Sequence, residues 1–235
     1  MKKIITIWFY SLIITGMFLF LSTGCSKKND NNNPVSTNIT VTDIDGNIYH
    51  AVTIGTQVWM AENLKTTRFN NGDSIPLVIS ILDWRVLSSP GYCWFNDDAS
   101  IYKNTYGALY NWYTINSGKL APEGWHVPTD AEWTILIDFL GGVQIAGGKM
   151  KEAGTAHWVS PNTGADNSSG FSALPGGYRG NSENFEECGG HGYWWTGSQS
   201  NSFSAWTRHL EYDSDWVNRY EFPQTYGFSV RCIKD

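Results

Sequence analysis

Positively charged residues are scarce in this chain of 235 residues. Its 16 Lys and Arg residues are outnumbered by 22 Asp and Glu residues, so the net charge is −6. Binding to nucleic acid or to an anionic lipid surface needs a basic patch, and the sequence offers no basic run that would form one. We therefore expect no nucleic acid partner.

Common catalytic motifs are also missing. The sequence has no Gly-x-Ser-x-Gly nucleophile elbow and no glycine motif that cradles phosphate. Carboxylate pairs for glycoside hydrolysis could come from Glu183, Glu186, Glu187 and Glu211, but sequence does not give their separation. A hydrolase or an oxidase is therefore the least favoured function, and we expect a protein that is not an enzyme.

Long apolar runs are absent except at the N-terminus. Residues 4–21 are apolar, and they are followed by Gly24 and Cys25 and then by a polar stretch. This order is typical of a bacterial lipoprotein signal, although an uncleaved membrane-spanning anchor is an alternative. We expect residues 1–24 to be the signal peptide and residues 25–38 to be a flexible tether, with Cys25 carrying the lipid, palmitate included.

The remaining residues, 39–235, read as a single folded domain. A lipoprotein signal places this domain outside the cytoplasm, as an outer membrane lipoprotein that faces either the cell exterior or the periplasm. Its membrane partner is then the bilayer that holds the N-terminal lipid.

Cysteine is rare, with three residues besides Cys25: Cys93, Cys188 and Cys232. In an oxidising compartment these three can form at most one internal disulfide. Cys232 lies in the last predicted strand and is the expected member of that bridge. Its partner, Cys93 or Cys188, stays open.

One amphipathic helix stands out in the folded part. Thr129 is a good N-cap, and Glu132 three residues later completes a capping box. Apolar residues then recur at helical spacing, and Gly141 provides the C-terminal stop. Such a helix must bury its apolar stripe, and we expect it to pack under a C-terminal antiparallel meander spanning residues 205–233.

Other segments predict strands and short helices. Two strands with alternating polarity, residues 39–43 and 47–54, flank an Asp-Gly turn and predict a hairpin, followed by a short third strand at residues 57–60. Helical spacing predicts a short helix at residues 106–115 and another turn of helix at residues 145–153. The fold class is therefore α+β.

Aromatic residues are abundant, with 12 Trp, 12 Tyr and 11 Phe. Flat aromatic rings beside polar groups recognise sugars and peptides, so the candidate ligand-binding residues are Trp194, Trp195, Trp216, Tyr220 and Arg179. Strand alternation implies that Trp194 or Trp195 faces away from the core. The alternative is that a domain poor in Leu and Ile builds its core from these rings.

Metal ligands are sparse in the sequence. Calcium is the one cofactor considered, with weak candidates at Asn96, Asp97, Asp98, Asp213 and Asp215, because calcium favours clusters of oxygen ligands.

The Cys188-to-His191 segment carries two soft ligands. Zinc needs three or four ligands, and no second Cys/His pair lies nearby in sequence. We therefore expect no metal at this segment.

Several motifs in a fixed order resemble the Fibrobacter succinogenes major paralogous domain. They comprise residues 54–64, 106–112, 124–133, 174–179, 192–195 and 226–232. The resemblance implies a place on extracytoplasmic and lipid-anchored proteins of Bacteroidetes-type bacteria, and it implies no particular activity. A more distant similarity to formylglycine-generating enzymes and C-type-lectin-like domains implies a C-type-lectin-like architecture of one main helix and one short helix packed on antiparallel sheet, with long loops.

Taken together, these observations favour a lipid-anchored cell-surface domain that binds a glycan or a protein ligand through aromatic residues of the terminal sheet. A structural or assembly component of the cell envelope is the alternative.

Overall fold

A computed structural model describes residues 39–235. The expected signal peptide, the lipidated Cys25 and the tether lie outside these residues. The helices are α1 (Ile81–Trp84), α2 (Ala99–Tyr106), α3 (Trp112–Asn116), α4 (Asp130–Phe139) and α5 (Ala146–Met150). The strands are β1 (Ile39–Thr42), β2 (Ile48–Ile54), β3 (Gln57–Met60), β4 (Tyr92–Cys93), β5 (Leu109–Tyr110), β6 (Trp125–His126), β7 (Tyr178–Arg179), β8 (Phe185–Glu186), β9 (His191–Gln199), β10 (Ser204–Glu211), β11 (Asn218–Pro223) and β12 (Ile233–Lys234).

The larger sheet has five strands in the order β1-β2-β3-β12-β6. Its first two strands form the expected hairpin, in which Ile39 pairs with Ala51. Gly46 occupies the turn with φ +82°, a left-handed conformation that glycine adopts without strain. The hairpin and the third strand predicted from sequence are therefore confirmed.

The second sheet has three antiparallel strands in the order β11-β10-β9. The predicted meander of residues 205–233 is thus correct for β10 and β11 but wrong at its end. The last strand, β12, is not part of this sheet, because it pairs with β3 and β6 of the larger sheet. The C-terminus therefore ties the two sheets to each other.

Helix α4 begins with the predicted capping box. The Thr129 hydroxyl accepts a hydrogen bond from the Glu132 backbone N–H, and the Glu132 carboxylate accepts one from the Thr129 N–H. Beyond the helix, Gly141 adopts φ +106°. The stop signal at this glycine is therefore also confirmed.

The apolar stripe of α4 packs where the two sheets meet. Its buried members are Trp133, Leu136, Ile137 and Leu140. They share one apolar cluster with Trp59 of the larger sheet and with Trp194 and Leu210 of the smaller one. Burial of an apolar side chain of this size stabilises a fold by roughly 1.5–3 kcal/mol.

The single helix predicted over residues 106–115 is wrong. Gly107 has φ +78° and ends α2, and residues 109–110 form β5 before α3 begins. A side chain at Gly107 would clash with the Leu64 carbonyl, so the backbone here approaches another segment too closely for a continuous helix. By contrast, the turn of helix expected at residues 145–153 is present as α5.

A buried lysine follows α5 and joins the loop at Thr163 to the end of β10 and the turn after it. Lys151 is fully buried, and its Nζ donates to the carbonyl oxygens of Thr163, Glu211 and Ser214 at 2.9, 2.9 and 2.7 Å. The ammonium also lies 5.4 Å from the centre of the Trp158 ring. We call this arrangement the lysine clamp.

Across residues 39–235, every helix is too short or too polar to span a bilayer.

Candidate functional site

The smaller sheet has two faces with different roles. Register pairs His209 with Tyr193 on one side and with Asn218 on the other. Since side chains alternate along strands, residues 191, 193, 207, 209, 218, 220 and 222 share one face. The opposite face carries Trp194 and Leu210 against α4.

The first of these faces carries a group of contacting aromatic rings, which we call the aromatic face: Tyr178, Tyr193, Tyr220, Phe222 and Tyr226. Tyr178 stacks on Tyr226 with 8° between the ring planes, and Phe222 contacts both Tyr220 and Tyr226. Tyr220 is 45% exposed, and Tyr178, Phe222 and Tyr226 are partly exposed. The face therefore presents ring surface to solvent at several adjacent positions.

Two neighbouring carboxylates lie at the edge of the aromatic face. The Tyr178 hydroxyl donates to Glu186 Oε2 at 2.6 Å, and the Tyr193 hydroxyl donates to Glu187 Oε2 at 2.5 Å. Hydrogen bonds from Ser182 and Tyr178 hold the pKa of Glu186 below its ordinary value. Both glutamates were among the carboxylates named from sequence, and the fold brings them to aromatic hydroxyls.

Beside these glutamates lies a cluster formed by Glu187, His191 and His209, which we call the His–Glu cluster. It is the one group of three His, Cys, Asp or Glu side chains within residues 39–235 whose ligand atoms lie within 4.8 Å of one another. His191 Nδ1 is 2.9 Å from His209 Nε2 and 3.6 Å from Glu187 Oε2. These three residues could hold a metal ion.

His209 is the buried member of the cluster. Its ring stacks on Tyr193 with centroids 4.1 Å apart and 9° between the planes. Burial, with the neighbouring His191, lowers the pKa of His209 to about 3, so the ring is neutral at pH 7. Its Nδ1 lies 3.2 Å from Glu211 Oε1 without the geometry of a hydrogen bond, and it has no other partner.

Trp194 and Trp195 do not form a ligand surface. Both are fully buried, so the expectation that one of them faces away from the core is wrong. Strand β9 is covered on both faces: the Trp194 indole donates to Asn63 Oδ1, and the Trp195 indole donates to the Tyr110 carbonyl. The alternative that these rings build the core is the correct one.

Arg179 is also buried and therefore cannot meet a ligand directly. Its guanidinium donates to the carbonyl oxygens of Val78 and Ile79, and it lies 4.8 Å from the centre of the Trp84 ring. This arginine holds the loop that leads into α1.

Trp216 lies in the turn before β11. It is 48% exposed, and its carbonyl packs against Gly147 of α5. Of the candidates named from sequence, Tyr220 belongs to the aromatic face, whereas Trp216 is exposed beside α5.

Two of the oxygen ligands considered for calcium, Asp97 and Asp98, have protein partners. Asp97 lies 3.3 Å from Arg179 Nη1, and Asp98 caps α2 by accepting from the Ser100 and Ile101 N–H groups. Asp215, which shares a turn with Asp213, packs against Gly148 and Gly164. In the described part of the chain, none of these aspartates belongs to a group of three converging His, Cys, Asp or Glu ligands.

The predicted disulfide of Cys232 is absent, because Cys93, Cys188 and Cys232 are all free thiols. Cys232 belongs to the largest apolar cluster, whereas Cys93 and Cys188 belong to a separate one around Trp84. Burial raises the pKa of Cys93 to about 12 and that of Cys232 still further, so both thiols are protonated at neutral pH.

The sequence did carry a signal for the His–Glu cluster. Glu187 and His191 are four residues apart, and His209 follows on the next predicted strand. The sequence predicts no metal site at this segment, because only Cys188 and His191 are potential zinc ligands close together along the chain. Pairing of β9 with β10 brings His209 to them, and only the register reveals this.

Comparisons with known proteins place this architecture in a family. A search of curated proteins finds no match, and a search of solved structures finds none either. The family model of the Fibrobacter succinogenes major domain (Fib_succ_major) matches residues 52–234, which include the smaller sheet, the aromatic face, the His–Glu cluster and the larger sheet except β1 and the first residues of β2. The chain therefore belongs to the Fibrobacter succinogenes major domain family.

Proposed function

We propose that this protein is a lipid-anchored extracytoplasmic binding domain that recognises a glycan through its aromatic face. The observation that carries the proposal is a set of adjacent, partly exposed rings with two carboxylates at their edge. One side of a pyranose ring is lined by C–H groups, which pack on flat aromatic surfaces. Its hydroxyls donate hydrogen bonds, and charged carboxylate oxygens are strong acceptors of such bonds.

Preorganisation also supports this function. Tyr178 and Tyr193 each hold one glutamate by a short hydrogen bond, so the carboxylates are oriented before a ligand arrives. Hydrogen bonding to a sugar then costs little additional ordering of side chains.

The finer description of the fold is part of the same proposal. One capped helix packed on antiparallel sheet, with long loops between short elements, supports a C-type-lectin-like architecture. Anchoring through Cys25 to the outer membrane, facing the exterior or the periplasm, rests on the N-terminal sequence. A Cys25→Ser variant should lose membrane association; a variant that stays membrane-bound after signal processing would contradict the anchoring.

A glycan array with the purified protein, run with and without calcium, tests recognition. We expect binding to a subset of glycans and a loss of about 10-fold or more in affinity for Tyr220→Ala, because one aromatic contact contributes roughly 0.5–1.5 kcal/mol beyond its buried area. Trp216→Ala is the matched control, since this ring is equally exposed but lies beside α5.

Equal losses in both variants would contradict the assignment to the aromatic face. Silence on all glycans would contradict glycan recognition itself and would shift the search to a protein ligand or to an assembly partner in the envelope.

A further inference from the structure

We propose that the His–Glu cluster is a binding site for one divalent transition-metal ion, with zinc as the best fit. The ligands are one carboxylate oxygen of Glu187 and one imidazole nitrogen each from His191 and His209. This proposal stands on the geometry of the cluster and does not depend on glycan recognition.

The distances fit a tetrahedral ion. With metal–ligand bonds of about 2.0–2.1 Å, ligand atoms around tetrahedral zinc lie about 3.3 Å apart. The separations from His191 Nδ1, 2.9 Å to His209 Nε2 and 3.6 Å to Glu187 Oε2, bracket this value. Shifts of a few tenths of an ångström in His191, which is 25% exposed, would complete the arrangement.

The ligand type selects the class of metal. Two imidazole nitrogens and one carboxylate suit zinc and its neighbours among the transition metals, whereas calcium and magnesium prefer oxygen ligands alone. Three protein ligands leave a fourth position open, and the exposure of Glu187 and His191 directs that position to solvent.

Groups around the ligands also fit a metal site. Histidine ligands usually present their second ring nitrogen to a carboxylate or a carbonyl, and Glu211 Oε1 lies 3.2 Å from His209 Nδ1, a distance from which a small rotation of either side chain would give a hydrogen bond. Asn218 Nδ2 in turn donates to Glu211 Oε1 at 3.0 Å. The Tyr193 ring holds His209 by stacking, and the Tyr193 hydroxyl holds Glu187.

Isothermal titration of the metal-stripped full chain with zinc chloride tests the proposal. We expect one equivalent to bind, with no displacement by excess calcium chloride. His191→Gln and Glu187→Gln should each weaken zinc binding by roughly 100-fold, and Glu211→Gln by roughly 10-fold, the range for partners that orient a ligand. The two ligand residues are partly exposed, so these variants keep the buried His209 and the fold.

His157→Gln is the matched control. His157 forms a His–Glu pair with Glu152 at 2.9 Å and has similar exposure, but no third ligand joins it within the described residues. The His157→Gln variant should bind zinc with the same affinity as the unaltered protein. Absence of zinc binding would overturn the proposal, and so would equal affinity in His191→Gln, because the ion would then bind elsewhere.

Absorption of the cobalt-loaded protein provides a second measurement. Cobalt in a tetrahedral site should show visible bands that His191→Gln abolishes and His157→Gln preserves. A spectrum identical in both variants would place the ion outside the His–Glu cluster and overturn the proposal.

Discussion

The lysine clamp should be a major source of stability for the loops around α5. Lys151→Met keeps most of the side-chain volume but removes the ammonium and its three hydrogen bonds. The variant leaves three carbonyl oxygens, those of Thr163, Glu211 and Ser214, without their donor. Thr163 lies in one loop, whereas Glu211 ends β10 and Ser214 lies in the turn that follows it, so the loss should loosen the connection between this loop and the β10–β11 turn.

The size of the effect follows from two opposing contributions. A hydrogen bond to a charged group contributes about 1.5–3 kcal/mol, so three bonds give several kcal/mol in favour of folding. The cost of moving the ammonium out of water offsets part of this gain. We expect Lys151→Met to lower the free energy of unfolding by about 2–4 kcal/mol, which corresponds to a Tm decrease of roughly 4–16 °C for a domain of this size.

Urea unfolding followed by circular dichroism measures this change. Lys149→Met is the matched control, because Lys149 lies in α5, two residues before Lys151, and its Nζ donates to only one carbonyl, that of Leu140, at 2.8 Å. The control should lose about 1 kcal/mol or less, because Lys149 is only partly buried and water replaces its single hydrogen bond. A Lys151→Met variant within about 0.5 kcal/mol of the unaltered protein would refute the reasoning, since the desolvation cost would then cancel the clamp.

Two further predictions concern the start of α4. Thr129→Ala removes the capping box and should lower the free energy of unfolding by about 1 kcal/mol in urea titrations; no change would mean that water replaces the cap. Burial disfavours the charged form of His126, but hydrogen bonds to Asp235 and Glu132 outweigh burial and raise the pKa of His126. Burial also disfavours the charged form of Glu132, but hydrogen bonds from Thr129 and His126 outweigh it and lower the pKa of Glu132. The His126–Glu132 pair should therefore stabilise the protein fully only between the ordinary pKa values of the two groups, 4.5 for Glu132 and 6.5 for His126. The stabilisation is lost as the pH rises through the raised His126 pKa, and it is also lost as the pH falls through the lowered Glu132 pKa. His126→Gln should cost at most about 1 kcal/mol, since the ring is partly exposed, and the loss should shrink as the pH rises through the raised His126 pKa; a loss that is constant with pH would contradict this origin.

Local signals predicted local structure well. The capping box at Thr129 and the Asp-Gly turn at Gly46 depend on residues within four positions of each other, and both are confirmed. The prediction of one helix over residues 106–115 is wrong, although the apolar residues there have helical spacing. The reason is that the backbone at Gly107 packs closely against the Leu64 carbonyl. A contact between segments 43 residues apart is not visible in a window of ten residues.

The candidate site was harder to predict because it depends on strand pairing and on what covers each strand. Alternation correctly separates Trp194 from Trp195, but it does not tell that both faces of β9 are covered. The sequence likewise suggests that Arg179 is a surface residue, but in the structure the loop before α1 covers it and accepts its hydrogen bonds. Tyr220 was found from sequence, whereas the role of His209 required its register with Tyr193.

The two faces of the smaller sheet differ in burial, and the proposed glycan recognition uses the exposed one. On the α4 side, Leu210 and Trp194 are fully buried, so truncation there creates cavities and costs several kcal/mol. On the other side, Tyr220 is half exposed, and its removal leaves the core intact. The same strands therefore combine a buried face that holds the scaffold with a face that leaves ring surface exposed. It is to this second face that we assign the proposed glycan recognition, because substitutions there leave the capped helix and the buried tryptophans in place.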